Sequence, residues 1–490
     1  MAERAFGFRP SGVMRLDRDT VGAAGSVSPA RWFMRDRCLG LLMMTCTTML
    51  GAERPAFQTL RYNEDWSFLH DSSRRADWLD PVKFVPLDGA NVYVSFGGEA
   101  RLKYERYDEP ALNQRPADND GFLLQRHLLH ADVHLGPHLR AFGQLQSSLE
   151  DFRNGGPRPA DRDDLDLHQA FFDASTTWRD VNEVTLRAGR QEMAYGSQRL
   201  VSVRESPNNR LAFDAARVLT RFGEWRADAW LAQPVEVDLG IFDDQRIRET
   251  TFWGGYITGP LPFIAGLNAD FYYLGLSREN AKFARGTADE LRHSLGARLF
   301  GKHNFLDWNF EFVGQFGSFG PGGILAWTAA SDTGWTFADA PAQPRVFLRA
   351  DIASGDHGGS NLGTFNPLFP RGAYFNEASL VGPQNLMDLQ PGLELSVTKS
   401  VKIATGCDFV WRESLDDGVY GVALNLQVPP GASRARFVGT FPSASLAWQA
   451  DRHFNLTFNY VAYLFGNFVK QSVSGARNGN YVSAVATFRF

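Results

Sequence analysis

Along residues 91–490, apolar and polar side chains alternate through one short segment after another. In the first segment the even positions carry residues such as Phe96 and Leu102, and the odd positions carry residues such as Arg101 and Lys103. Successive side chains of a strand point to opposite faces, so one face suits hydrocarbon and the other suits water. The alternation runs past the roughly five or six residues usual for a soluble strand and reaches the roughly 9–11 that a tilted membrane-crossing strand needs. The pattern therefore predicts strands that cross a membrane.

The alternation recurs in about eighteen segments, an even number, as single-chain bacterial barrels require. We therefore predict an all-β fold, a transmembrane antiparallel β-barrel of about eighteen strands, with sixteen as the alternative count. The predicted strands lie near 91–107, 122–135, 139–150, 165–175, 183–193, 212–222, 225–233, 250–258, 266–277, 290–300, 305–317, 323–331, 345–354, 389–400, 401–412, 435–449, 453–465 and 480–490.

The connections between these segments are alternately long and short, as long outer loops and short periplasmic turns would be. The alternation of long and short connections breaks once. Residues 318–322 are short where a long outer loop is expected, and 332–344 are long where a short turn is expected, so a strand assigned in this region is predicted to be misplaced. The tight connections are 136–138, 223–224, 301–304 and 450–452. The long connections are 108–121, 151–164, 194–211, 234–249, 278–289, 355–388, 413–434 and 466–479.

Composition agrees with a single barrel domain over 91–490. No stretch of about 18 apolar residues occurs, which excludes a helical membrane protein. The 39 Phe, 12 Trp and 13 Tyr are enough for aromatic girdles at both membrane interfaces. The net charge of −5 points to no particular partner, and we expect no nucleic-acid binding.

The first 52 residues have the pattern of a leader. The charged start Met34-Arg35-Asp36-Arg37 precedes the apolar run 38–50, and the small pair Gly51-Ala52 follows, which predicts a signal peptide over 34–52. Residues 1–33 would make this leader unusually long, so we interpret them as a misassigned start. The alternative to a leader is a disordered N-terminal extension on an intracellular protein. A periplasmic N-terminal segment is expected at 53–90. Cleavage would leave Cys407 alone, so no disulfide framework is expected.

Short phrases spread over residues 60–490 carry a family resemblance. They include Asn63-Glu64-Asp65-Trp66, Asp80-Pro81-Val82-Lys83-Phe84, Phe96-Gly97-Gly98-Glu99-Ala100-Arg101, Ala188-Gly189-Arg190-Gln191-Glu192, Tyr195-Gly196-Ser197-Gln198-Arg199-Leu200, Arg204-Glu205-Ser206-Pro207-Asn208, Ser354-Gly355-Asp356 and Thr364-Phe365-Asn366-Pro367-Leu368-Phe369-Pro370. In these phrases the chain resembles the alginate-export outer-membrane barrel family of Gram-negative bacteria. The resemblance implies an eighteen-stranded, monomeric barrel surrounded by outer-membrane lipid, which passes a polymer or a small solute outward, with periplasmic secretion partners as a further expectation. It does not fix the substrate.

Arginines are the candidates for selectivity. Between Arg187 and Arg226, eight arginines stand against four acidic residues. By parity Arg187 faces the lumen, while Arg190 shares the lipid parity of its neighbours and is placed at the membrane rim or beyond a bulge. If the outer loop folds into the mouth, its guanidinium groups would hold carboxylates with bidentate hydrogen bonds. The alternative is that these arginines pair with lumen carboxylates and brace the barrel.

A second ring is expected from the inner face of the predicted strand 345–354. Other basic residues on predicted inner faces are Arg101, Lys103, Arg140, Arg292, Arg298 and Arg412. Such a wall suits an anion that must move on, because conduction requires weak and repeated sites. The predicted substrate-path residues are Arg101, Arg187, Arg190, Arg199, Arg204, Arg210, Arg221, Arg345, Arg349 and Asp351.

The loop 355–388 has two interpretations, a constriction loop that sets pore size or a cap on the outer surface. No metal site or other cofactor is expected. The histidines at 127, 130, 134 and 138 are too far apart on a strand to share an ion. The acidic residues at 161–166 lack the glycine and glutamate of the usual calcium loop, so we expect a solvated acidic loop there.

These observations predict an outer-membrane channel that passes an anionic polysaccharide or a small carboxylate by passive diffusion through a basic lumen. A porin of general or different selectivity is the first alternative. A barrel enzyme is the second, but no Gly-x-Ser-x-Gly elbow, phosphate loop or zinc-protease motif occurs, so we expect no enzymatic activity.

Overall fold

Each segment in which alternation predicts a strand overlaps a long β-strand of the computed structural model, which describes residues 54–109, 112, 119–179 and 182–490. The strands are β1 (Val85–Asp88), β2 (Val92–Tyr107), β3 (Phe122–Leu135), β4 (Leu139–Asp151), β5 (Asp163–Trp178), β6 (Asn182–Gln191), β7 (Phe213–Phe222), β8 (Trp225–Glu236), β9 (Gln245–Arg246), β10 (Thr250–Pro260), β11 (Leu267–Phe283), β12 (Gly286–His303), β13 (Leu306–Phe319), β14 (Gly322–Thr336), β15 (Arg345–Ala353), β16 (Leu386–Ser396), β17 (Val401–Trp411), β18 (Val419–Tyr420), β19 (Leu426–Val428), β20 (Phe437–Gln449), β21 (Phe454–Phe465) and β22 (Gly479–Arg489).

Eighteen of these strands close into one antiparallel barrel. β2 pairs with β3 on one side and with β22 on the other, where Glu99 lies opposite Arg489 and Tyr107 opposite Tyr481. The remaining strands pair in chain order, with β8 beside β10 and β17 beside β20. The short β1 and β9 extend the edges of β2 and β8, and β18 and β19 form a separate small hairpin. The predicted eighteen-stranded barrel is therefore confirmed.

Burial along the strands is the inverse of burial in a soluble protein. On β2, Phe96 is 39% exposed and Leu102 is 46% exposed, whereas Arg101 and Lys103 are buried. Charged side chains are thus enclosed by the barrel while apolar ones cover its outside, which is the arrangement of a barrel in a bilayer. The parity predicted for the first segment is confirmed. No helix among the described residues is long and apolar enough to span a membrane.

The two ends of the barrel differ in their connections. Short turns close the end at which β2 begins and β22 ends, and those among the described residues lie at 136–138, 223–224, 261–266, 304–305, 337–344, 397–400 and 450–453. Most connections at the opposite end are long, which identifies that end as the outer one. The outer connections are 108–121, 152–162, 192–212, 237–249, 284–285, 320–321, 354–385, 412–436 and 466–478, the last containing helix α2 (Asn467–Ser472).

Two expectations about the connections are wrong. The prediction of a misplaced strand near 318–344 fails, because β13 and β14 pair directly through a two-residue turn at 320–321. The predicted long loop 278–289 is mostly strand, because β11 and β12 continue into a hairpin closed at 284–285. In both places the strands are 14 to 18 residues long and project beyond the bilayer. A short connection can therefore lie on the outer side when its two strands are long.

Residues 54–84 form a compact segment at the turn end. It contains three single turns of 3-10 helix, Arg61–Asn63, Ser67–His70 and Ser72–Arg74, followed by the four-residue helix α1 (Asp80–Lys83). Tyr62 enters the lumen, where its ring meets the edges of Phe142 and Phe171 with centroids 6.0 and 5.3 Å away. The predicted leader 1–52, with its signal peptide at 34–52, lies outside the described residues.

Candidate functional site

The outer loop 192–212 crosses the lumen. Arg199 reaches the carboxylates of Glu311 on β13, at 3.2 Å, and Asp351 on β15, at 3.6 Å. Near its other end, the Asn208 side-chain amide donates to backbone carbonyls of β3 and β4 at 2.9 and 3.2 Å. These contacts lie on nearly opposite walls of the barrel. The loop therefore divides the lumen instead of projecting into solvent.

A buried charge network fastens this loop to the wall. Arg101 on β2 donates to the backbone carbonyls of Glu205 and Pro207 at 2.8 and 2.9 Å. Arg126 on β3 is fully buried and bridges the carboxylates of Glu99 and Glu205. Removing one partner of a buried pair leaves an uncompensated charge, which costs about 3–5 kcal/mol. The network thus favours one position of the loop.

The loop 354–385 also enters the lumen and joins the first loop. The backbone N–H groups of Phe369 and Arg371 donate to the carbonyls of Leu200 and Gln198 at 2.8 and 3.1 Å. The Phe369 ring packs edge-on against Phe213 of β7. Of the two interpretations of 355–388, the structure supports the constriction loop, because the loop fills part of the bore.

On the turn side of these loops lies an inner cavity of about 600 Å³. Its wall contains six arginines and four acidic residues, so the charge of the wall is positive. Arg187 pairs with Asp173 through two hydrogen bonds of 2.7 Å and stacks over Tyr62 and Phe171, yet its Nη1 has no described partner. The charged lining residues are Arg140, Arg187, Arg217, Arg221, Arg226 and Arg298, with Asp173, Glu183, Asp228 and Asp270.

Two arginines of this cavity face each other directly. Arg221 on β7 is the cross-strand partner of Arg226 on β8, and both side chains are exposed to the cavity. No carboxylate among the described residues lies within ion-pair distance of either guanidinium. Like charges directly opposite on a sheet destabilise it. Glu183 on β6 lies opposite Arg221 on its other side, so an anion would relieve chiefly the charge of Arg226.

An outer cavity of about 530 Å³ lies on the loop side. Its five basic and five acidic residues balance, so it lacks the positive excess of the inner cavity. Arg204 lines it, has a positive φ of 53°, and makes no ion pair with a described residue. Of the loop arginines, it is the one left free to meet a solute.

The structure separates the ten predicted substrate-path residues into groups. Arg101, Arg199 and Arg210 hold the crossing loop, Arg210 through Glu192 at 2.8 Å and the Thr59 carbonyl. Arg345 pairs with Asp307 and Asp332, and Arg349 pairs with Asp332. Asp351 neutralises Arg199. Arg187 and Arg221 line the inner cavity, and Arg204 lines the outer cavity.

Arg190 does not face either cavity. It stands at the outer rim, where its Nε donates to Asp214 at 2.9 Å and its Nη1 lies 3.7 Å from Asp166. This is the rim position that its parity indicates, so its place among the substrate-path residues is corrected. Four lining arginines were missed from that set although their inner-face parity was visible in the sequence: Arg140, Arg217, Arg226 and Arg298.

A model of the alginate export family matches residues 92–483 of the chain. The chain belongs to the alginate export family. No curated protein matches its sequence. With the assignment of the family, the predicted resemblance is confirmed over residues 92–483.

Solved porins share the fold of this alginate export protein. OpdK of Pseudomonas aeruginosa, solved with vanillate, is 11% identical with a TM-score of 0.54, and OccK2 of the same organism, solved in complex with glucuronate, is 9% identical with a TM-score of 0.54. A BenF-like porin of Pseudomonas fluorescens Pf-5 is 7% identical with a TM-score of 0.57. Each alignment covers 81% of this chain and 98% of the other. Family and fold together identify an outer-membrane channel of a bacterium, surrounded by membrane lipid.

Proposed function

We propose that this channel passes carboxylate-bearing carbohydrates or small organic acids by passive diffusion. The observation that carries the proposal is the inner cavity, in which six arginines stand against four acids and the facing pair Arg221 and Arg226 has no described carboxylate partner. A guanidinium presents a planar fork of donors that matches a carboxylate. Anions therefore concentrate in this cavity relative to cations.

Passage requires that each site hold the solute weakly. In the inner cavity most guanidinium groups already share a lumen carboxylate, as Arg187 shares Asp173, so a solute competes for donors and does not become trapped. Weak, repeated sites are what conduction needs. Transport by this route forms and breaks no covalent bond and needs no cofactor, so we propose that the protein is not an enzyme.

The crossing loops favour short solutes over a long polymer. Loop 192–212 spans the bore and loop 354–385 is hydrogen-bonded to it, which leaves cavities of about 530 and 600 Å³ on either side. Porins of the same fold have been solved with vanillate and with glucuronate, both of which carry a carboxylate. We therefore propose uronates of one or a few units, or aromatic acids, as cargo, carried by a monomer without an obligatory secretion partner.

Single-channel recording tests this proposal. In a planar bilayer with a salt gradient, the expected reversal potential shows preference for anions, and uronate oligomers of two to four units reduce the current at concentrations at which neutral oligosaccharides of the same length do not. Cation preference, or equal block by neutral and acidic sugars, would establish the general porin instead. Block by long polyuronate alone would indicate a polymer conduit.

A further inference from the structure

Three aspartates from two elements meet at the outer rim of the barrel. Two irregularities in the pairing of β4 with β5 put Asp163 opposite Ser148 and Asp166 opposite Gln146. Bulges re-aim side chains in this way, and both aspartates turn to the inner side of the wall, where Asp163 is 0% and Asp166 is 3% exposed. The expectation of a solvated acidic loop is wrong for these two residues, because they lie on a strand and are buried.

The third carboxylate comes from the outer loop 237–249. This loop adds to the free edge of β5, where the Phe242 N–H donates to the Leu165 carbonyl at 2.9 Å. The Asp244 backbone N–H then donates to Asp166 at 3.0 Å. One oxygen each of Asp163, Asp166 and Asp244 lies within 4.8 Å of the others, which is the separation of ligands around an ion bound at about 2.4 Å.

The protein itself supplies little positive charge here. Among the described residues, Arg190 is the cation beside the cluster, 3.7 Å from Asp166, and its Nε is engaged by Asp214. Burial, followed by repulsion from Asp166 and Asp243, raises the pKa of Asp244 to about 6. The three carboxylates are therefore only partly neutralised by the Arg190 guanidinium, and the site carries excess negative charge.

Two buried oxygens at this place have no hydrogen-bond donor among the described residues. One is Oδ1 of Asp163, and the other is Oε1 of Gln146, whose side chain is 1% exposed. The Gln146 amide lies against the cluster, with its Nε2 3.4 Å from Asp163 Oδ2. Buried oxygens are almost always satisfied, so the unpartnered Oδ1 of the fully buried Asp163, which lies beside two further carboxylates, points to a cation as its partner.

We propose that Asp163, Asp166 and Asp244 bind a calcium ion at the outer rim. An all-oxygen, irregular ligand set suits calcium better than zinc, which takes nitrogen and sulfur, or magnesium, which demands near-ideal octahedral geometry. The sequence does not reveal the site because Asp244 lies some 80 residues from its partners and the usual calcium-loop spacing is absent.

The ion would clamp loop 237–249 onto β5. The same corner also holds the crossing loop, since the Asn208 N–H donates to Asp161 and the Asn209 N–H to the Ala160 carbonyl. Calcium would therefore stiffen the part of the rim to which the crossing loop is hydrogen-bonded. The site has few protein ligands and is partly open to solvent. We therefore expect a calcium affinity like that of extracellular calcium-binding modules, with a Kd on the order of 10⁻⁴–10⁻³ M.

Calorimetric titration with calcium chloride tests the site on the purified full chain in detergent, after treatment with EDTA and removal of lipopolysaccharide, which itself binds divalent cations. We expect one saturable site per chain and weaker competition by magnesium. Asp163→Asn and Asp244→Asn should each weaken binding at least ten-fold. The matched control is Asp164→Asn on the same strand, because Asp164 is partly exposed and pairs with Arg162, and it should bind as the unaltered protein does.

Limited proteolysis of loop 237–249 gives a second readout, since calcium should slow cleavage in the unaltered protein and in Asp164→Asn but not in Asp244→Asn. If Asp163→Asn fails to form a barrel, Asp244→Asn in the loop still decides the matter. No saturable binding, or equal binding by Asp244→Asn and the unaltered protein, would overturn the proposal and leave protonation as the way the cluster is neutralised.

Discussion

The role of a lumen arginine depends on whether a carboxylate lies beside it. Arg199 and Arg126 are buried between acidic partners, and each holds a structural element in place. Arg221 and Arg226 make no ion pair with a described residue and line the inner cavity. Only the second kind has donors free for a passing anion.

Replacing the facing pair should reduce anion selectivity. We expect the double variant Arg221→Gln/Arg226→Gln to lower the anion-to-cation permeability ratio by up to about five-fold per charge, since a unit charge at 4 Å in water contributes about 1 kcal/mol. Reversal potentials in a salt gradient measure this ratio. The matched control is Arg434→Gln, which removes a charge from an exposed loop pair with Asp416 and should leave the ratio unchanged. An equal fall in both would show that net charge, and not the inner cavity, sets selectivity.

A buried lysine gives the N-terminal segment a pH dependence. Lys83 is 2% exposed, its Nζ has no described hydrogen-bond partner, and the Trp66 ring lies 5.0 Å away. Burial, followed by repulsion from Arg61, lowers its pKa from 10.5 to about 7. Because the docked state then binds fewer protons than the undocked state above pH 7, docking of residues 54–84 gains stability as the pH rises through 7, and the gain is complete above about 10.5.

Hydrogen exchange of residues 54–84, corrected for intrinsic rates, should therefore show greater protection at pH 8.5 than at pH 6. Lys83→Met should remove the difference, while the exposed control Arg74→Met should keep it. Equal protection at both pH values in the unaltered protein would contradict the assignment of the buried lysine as its origin.

At single positions the sequence predicts which face a residue occupies better than it predicts what the residue does. Parity placed Arg101 and Arg187 in the lumen, and the structure agrees. Arg101 holds the loop, while Arg226 has no ion-pair partner among the described residues. This difference depends on which carboxylates approach from elsewhere in the chain, and no local pattern records it. The arginine excess over 187–226 was therefore visible, but its division into bracing and free groups was not.

Among the elements, strands follow from local sequence and the inserted loops do not. The strand pattern needs only the two faces of one segment. Insertion of loop 192–212 depends on lumen side chains of other strands, such as Trp230 and Phe252, which form one buried apolar cluster with Leu200. The signal that something apolar fills that side of the lumen was a set of apolar residues at inner-face positions of β8 and β10, namely Trp230, Ala232 and Phe252.

The N-terminal segment narrows the inner cavity. Tyr62 is 4% exposed, donates to the Glu192 carbonyl at 2.9 Å, and packs on Phe142 and Phe171. Tyr62→Ala should remove an anchor worth about 3–5 kcal/mol, so that the segment undocks and single-channel conductance rises. Trp78→Ala, in the same segment but 75% exposed, is the matched control and should leave conductance unchanged. Unaltered conductance in Tyr62→Ala would mean that the segment does not restrict the path.

For the whole molecule, aromatic contacts mark both edges of the apolar outer surface. Towards the loop end, His293 stacks with Tyr273 and Phe316 at ring separations of 5.9 and 5.3 Å. Towards the turn end, Phe305 and Trp335 lie 5.9 Å apart. Girdles of this kind sit at the two membrane interfaces, so the outward residues of β12 to β14 between them face hydrocarbon. The abundance of aromatic residues predicted this arrangement.

A charge placed on the outer surface should therefore cost most midway between the girdles. Phe312 is 55% exposed on β13, midway between them, whereas Phe316 on the same strand belongs to the outer girdle. Phe312→Arg should lower the free energy of unfolding by about 2–4 kcal/mol and Phe316→Arg by about 0–1 kcal/mol. Denaturant titration in lipid vesicles, followed by gel mobility of the folded barrel, measures both. Equal costs at the two depths would mean that the bilayer does not span the surface between these aromatic belts, and the assignment of inner and outer faces would lose its physical basis.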